Sequence, residues 1–190
     1  MGILKVKSWH IACGLLFVGL VGCSSPEVRD YENTTPQFDI QSYFAGQTWA
    51  SGMVQDFSGE VTRRFTVSIE GHTDAKGHFI MDEHFQYANG ETSQRVWTFK
   101  PVDEHCFEGS AADVIGTAYA CQYGHAVHMN YDLSVELDKG DYWTFAIEDW
   151  LYLQPDGTVL NRSTMRKWGF SVGSITISFS KQAPRTAGSE

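Results

Sequence analysis

The sequence lacks an apolar run long enough to cross a bilayer. Its most apolar stretch, Ile11 to Val21, is broken by Gly14 and Gly19, whereas a hydrocarbon core takes about 20 apolar residues. It also lacks GxSxG, HExxH and P-loop patterns, so hydrolase and nucleotide-binding chemistries have no starting point. No CxxC or zinc-ligand spacing occurs, and His125-x-x-His128 puts its two rings on opposite faces of a strand. No metal or cofactor is therefore expected. His72, His78, His84 and His105 likewise read as surface or core residues. Basic charge is scarce as well, with 14 Lys and Arg against 23 Asp and Glu. Such a surface repels phosphate backbones, which makes nucleic acid a poor partner. With no recognisable catalytic motif, the chain is expected to be non-enzymatic.

What is present begins with an export signal. Lys5 and Lys7 form a basic n-region ahead of the short apolar stretch, and the chain turns polar at Ser24-Ser25-Pro26-Glu27. Leu20-Val21-Gly22-Cys23 resembles the lipobox of bacterial lipoproteins. That resemblance implies cleavage before Cys23 and about three acyl chains on it, each buried CH₂ contributing about 0.8 kcal/mol of membrane affinity. Ser24 stands where an aspartate would resemble an inner-membrane retention signal, so the periplasmic face of the outer membrane is the expected location. The expected organisation is a signal peptide over 1–22, a lipidated cysteine and polar tether over 23–40, one β-barrel domain over 41–182 and a flexible tail over 183–190. Removal of 22 residues leaves 168, enough for one domain with a real core. Two further cysteines, Cys106 and Cys121, remain for an oxidising compartment. A disulfide between them and a pair of buried free thiols both fit the sequence.

From about residue 41 onward period-two alternation recurs and helical periodicity is nearly absent, which predicts an all-β domain. Turn signals such as Ser58-Gly59, Ala88-Asn89-Gly90 and Pro155-Asp156-Gly157 divide it into about nine or ten strands in simple succession. A meander that long tends to close, because closure removes exposed edges. A single antiparallel, up-and-down, lipocalin-like barrel is expected, with a β-sandwich as the alternative.

The same alternation assigns faces. Arg63 shares parity with Phe65, Val67 and Ile69, and Glu83 with Phe79, Met81, Phe85 and Tyr87. Arg95 falls with Trp97 and Phe99, Asp149 with Trp143, Phe145 and Leu151, and Arg162 with Leu160. Five charges thus land on apolar faces, where an unpaired charge costs several kcal/mol. Arg63 and Glu83, on neighbouring strands, are expected to pair. Two roles stay open for the set. It orients the polar end of an amphipathic ligand whose apolar part lies among Phe65, Phe85, Trp97, Trp143 and Phe145, or it forms an ion-pair network closing one barrel end. A one-residue slip of register would undo either.

From Phe44 to Lys181 the chain resembles a group of bacterial lipoproteins catalogued as domain of unknown function 3833. The matching segments run from Gly59 to Phe65, Asp82 to Phe85, Arg95 to Trp97, Ala112 to Gly116, Glu148 to Tyr152, Asn161-Arg162 and Lys167-Trp168-Gly169. Trp168 stands where the family has phenylalanine and Glu148 where it has aspartate, while Cys106 and Cys121 lie outside its pattern. The resemblance implies a calycin-like barrel and an envelope location, and it transfers no catalytic residues. The expected function is that of an envelope protein, anchored to the membrane through acyl chains on Cys23, that binds or carries a small amphipathic, lipid-like molecule. The alternatives are an assembly protein with a solid core and an enzyme acting on an envelope component.

Overall fold

The computed structural model describes residues 2, 25–138 and 140–184. Apart from Gly2, the expected signal peptide lies outside the described residues, as do Cys23 and residues 185–190 of the expected tail.

Ten antiparallel strands follow one another: β1 Gly46–Asp56, β2 Val61–Thr73, β3 Phe79–Tyr87, β4 Thr92–Pro101, β5 Cys106–Ser110, β6 Val114–Tyr123, β7 Ala126–Asp138, β8 Asp141–Leu153, β9 Val159–Lys167 and β10 Phe170–Ser180. Each pairs with its neighbours in sequence, and β1 closes on β10 from Trp49↔Ser180 to Asp56↔Gly173. The result is a closed up-and-down barrel, which leaves no sheet edge exposed and excludes the sandwich. Alternation explains the wall: Phe65, Val67 and Ile69 of β2 are buried while Thr66 and Glu70 between and beyond them face solvent.

A one-turn helix, α1 Ile40–Phe44, precedes the barrel and closes one end. Asp39 caps it, its Oδ1 accepting from the Ser42 amide at 2.7 Å. Phe38, Ile40 and Phe44 are buried with Phe179, whose ring meets Phe44 edge-on at 5.4 Å. Gly71 makes room for this plug, since a Cβ there would lie 2.1 Å from the Phe44 carbonyl oxygen.

The expected tether over 23–40 requires correction. Residues Val28–Tyr31 form a 3-10 helix that packs beside β6 and β7. Tyr31 makes edge contacts with His125, Trp150 and Tyr152, Thr34 Oγ1 lies 2.6 Å from His125 Nδ1, and the Phe38 amide donates to the Gly124 carbonyl. The segment has few apolar residues, but Tyr31, Phe38 and Ile40 each meet a matched surface of the barrel, so it becomes a strap. Gly124, at φ +54, lets it approach so closely that a Cβ would sit 1.8 Å from the Tyr31 oxygen.

Cys106 and Cys121 lie directly opposite each other across β5 and β6 and form a disulfide, with Cα atoms 4.2 Å apart. Of the two thiol states compatible with the sequence, the bridged one is present.

Candidate functional site

The end of the barrel opposite α1 is open. Between the plug and that mouth lies a cavity of about 610 Å³, in the range of small-molecule sites. Its floor is Ile40, Phe44 and Phe179, and its apolar wall includes Phe65, Phe85 and Trp97. Antiparallel strands direct every second side chain inward, so long apolar residues can surround an empty volume as wide as the barrel.

One polar cluster interrupts this wall. Glu83 on β3 and Arg95 on β4 occupy paired positions, with the guanidinium 4.0 Å from the Glu83 carboxylate. Asp113, in the turn between β5 and β6, takes the guanidinium in a two-pronged grip, Nε and Nη2 donating at 2.9 and 2.7 Å to Oδ2. From the far wall Asp149 of β8 accepts from the Tyr131 hydroxyl at 3.2 Å through Oδ2. Its other oxygen, Oδ1, is buried with no hydrogen-bond partner among the described residues. Arg95 also lies near the rings of Phe85 and Trp97, at 5.7 and 5.9 Å.

Burial sets the electrostatics. It pushes the Glu83 carboxyl up to about 7, with Arg95 opposing. Burial raises the Asp149 carboxyl too, although hydrogen bonds counter it, and with the neighbouring Asp149 it raises the Tyr131 hydroxyl. Burial disfavours the Arg95 charge, but Glu83 and the hydrogen-bonded Asp113 outweigh it and the guanidinium stays ionised.

Of the five inward charges expected from alternation, four line the cavity, Glu83, Arg95 and Asp149 within it and Arg63 at its mouth. Arg63 does not reach Glu83. The β2–β3 register sets Phe65 opposite Tyr87, which leaves Arg63 at the mouth, where it binds Glu91 at 2.5 Å and lies 4.1 Å over the Tyr87 ring. Glu83 is opposite Ile69 instead. Arg162 points outward: β9 pairs Leu151 with the buried Asn161 and Trp150 with Arg162, so Asn161 and Ser163, not Leu160 and Arg162, face the interior. That is the one-residue slip to which period-two patterns are prone.

Of the expected cavity aromatics, Phe65, Phe85 and Trp97 line the space. Phe145 is buried in a separate cluster with Leu133 and Ile147, and Trp143 is 38% exposed at the rim beside Trp168. Asp113 and Tyr131 escaped sequence reasoning. Asp113 sits in a turn, where alternation carries no information, whereas the parity of Tyr131 with Met129 and Leu133 on β7 marked it as inward.

The lipocalin-like barrel has a counterpart among solved structures, the S-type phycobiliprotein lyase CPES from Guillardia theta. The two superpose with a TM-score of 0.53 at 8% identity, over 81% of this chain and 96% of that one. At this identity the likeness is one of fold. It nevertheless overturns the expectation of a non-enzymatic chain, because a barrel of the same architecture serves a lyase and the missing sequence motif therefore excludes nothing. Comparison with curated proteins finds no match. The sequence from residue 17 to 181, which spans the strap, the plug and all ten strands, matches the family described as Protein of unknown function (DUF3833), and the chain belongs to that family.

Proposed function

We propose that this chain is a lipid-anchored envelope protein whose barrel binds a small amphipathic molecule, apolar body down and polar end at the Glu83–Arg95–Asp149 cluster. The observation that carries the reading is the cavity itself, about 610 Å³, closed by α1, open at the other end, apolar in its depth and charged at one level of its wall. Support comes also from the unpartnered Asp149 oxygen, which a bound polar group would satisfy. The fold shared with a phycobiliprotein lyase is consistent with a small molecule inside the barrel. A cavity of this size removes the solid core on which the assembly-protein alternative rested.

Anchoring is part of the proposal, with the periplasmic face of the outer membrane as the location. Three residues separate Cys23 from Glu27, which precedes the 3-10 helix at the closed end. At about 3.3–3.6 Å per extended residue, acyl chains on Cys23 would hold the closed end beside the membrane and turn the mouth away from it.

Native mass spectrometry of the purified protein is expected to reveal a co-purified molecule of a few hundred daltons that is lost on denaturation. A protein that arrives empty and takes up no amphipath on titration would sink the binding reading. Cys23→Ala is expected to abolish labelling by a fatty acid and to leave an uncleaved precursor on gels; normal labelling would refute the anchor.

A further inference from the structure

The charges that line the cavity are unbalanced. Two arginines, Arg63 and Arg95, face five carboxylates, Glu83, Glu91, Asp113, Glu136 and Asp149. At the mouth Arg63 is taken by Glu91. Deeper, Arg95 directs both prongs of its guanidinium to Asp113 and stands 4.0 Å from Glu83. No ion-pair partner is left for Asp149 among the described residues, and its buried Oδ1 has no hydrogen bond of good geometry there, the Ser163 hydroxyl and Asn161 amide of β9 being the donors nearest to the carboxylate. Glu83, only 8% exposed, has an ion pair at long range and no side-chain hydrogen bond among the described residues. The cluster is therefore rich in acceptors and short of donors.

Building on the binding reading above, we propose that the cavity selects amphipaths whose polar end donates hydrogen bonds, a primary ammonium first and a hydroxyl second, and that it discriminates against carboxylates. An ammonium carries three donors and a positive charge. Placed between Glu83 and Asp149 it would satisfy Oδ1 and offset the negative charge left where the single guanidinium of Arg95 faces Glu83, Asp113 and Asp149. A fatty-acid carboxylate meets the opposite situation. It must take Arg95 from a two-pronged partner already in place, and it must lie against two like charges in a low-dielectric wall. A fatty-acid carboxylate is thus disfavoured by the sign of the local charge, whereas a lipid-like body suits the apolar wall.

The groups facing Glu83 are Arg95 beside it on β4, Asp113 from the β5–β6 turn, and Tyr131 and Asp149 across the cavity, with Asp82 adjacent on its own strand. Because Glu83 takes up a proton near neutrality, its attraction for an ammonium grows as the pH rises.

The test uses three ligands with one tail. Dodecylamine, dodecanol and dodecanoate are titrated into the purified protein below their aggregation concentrations, and binding is followed through the fluorescence of Trp97 and the other tryptophans and by calorimetry. Dodecylamine is expected to bind at least tenfold more tightly than dodecanoate, with dodecanol between them, and the amine is expected to tighten several-fold from pH 6 to pH 8. Glu83→Gln should remove that pH dependence, and Asp149→Asn should weaken the amine tenfold while leaving dodecanol within about twofold. Circular dichroism verifies the fold of each variant, and either one suffices for the comparison. Equal affinity for all three, or preference for dodecanoate, overturns the head-group inference and leaves the cavity reading intact. Failure of all three to bind overturns both.

Discussion

The two ends of the barrel are built differently. At the closed end Phe38, Ile40, Phe44, Ile69 and Phe79 fill the interior, strand pairing is regular, and the N-terminal strap covers the outer wall beside β6 and β7. At the open end the register breaks four times, between Val54 and Gln55, Ile115 and Tyr119, Glu136 and Asp138, and Ser171 and Gly173. Each break bends its strand and raises the local twist, which flares the rim. The mouth also carries large apolar groups in solvent, with Phe57 84%, Trp168 82% and Phe170 76% exposed. Trp168 lies at φ 52, where a residue with a Cβ is strained and asparagine or glycine is the usual occupant of a two-residue hairpin turn. Folding stability is thus concentrated at one end, and the features that oppose it, namely buried charge, empty volume, strain and exposed aromatics, gather at the other. Such a division is expected where one end serves the fold and the other a function.

The largest effect that would break this comparison is a truncation in the packed core at the closed end. Phe79→Ala removes a ring that is 1% exposed and is expected to destabilise the domain by about 3–5 kcal/mol in chemical denaturation. The corresponding change on the cavity wall, Phe85→Ala, should cost less than half of that, because Phe85 already borders empty space. Equal losses would mean that the two ends are packed alike.

Arg95→Met comes next, since it leaves Glu83 and Asp113 without their shared cation. A loss on the order of 3 kcal/mol is expected, and it should be largely recovered when Glu83→Gln and Asp113→Asn are added. If the single variant unfolds at the temperature of the parent, the cluster is hydrated and its charges are not confined.

Glu83→Gln sharpens the comparison through pH. In the unfolded chain Glu83 titrates near 4.5, and in the folded barrel near 7. Between those values the folded state holds the extra proton, so stability falls as the pH rises through this window and remains reduced above it. The variant should therefore be more stable than the parent at pH 8, by about 3 kcal/mol in chemical denaturation, and the gain should vanish near pH 4.5. A difference that does not change with pH would show that Glu83 is not desolvated.

Much of the fold was legible because a closed meander is written in short-range patterns. Alternation from Val61 to Ile69 and from Phe79 to Tyr87, with turn residues between, located strands and faces without any long-range information. The site was legible only in part, for three physical reasons. Arg63 fell on the inward face but at a level of the barrel that only hairpin register decides. Arg162 was misplaced because the turn at Asp156, which accepts from the Thr158 amide and hydroxyl, fixes the parity of β9. Asp113 was invisible because its role depends on a turn folding over the guanidinium of a strand 18 residues away.

The sequence by itself determined that this chain forms a single antiparallel β-barrel of about ten strands, because period-two burial and turn chemistry are local properties that each segment carries alone. It also determined the family, whose matched residues run through the whole barrel. Tertiary structure alone decided which charges meet, that the residues before β1 become a strap and a plug, and that the interior is hollow. Those outcomes depend on register, strand stagger and the height at which a side chain enters the barrel. These are distances between residues far apart in the chain, and no short stretch of sequence encodes them.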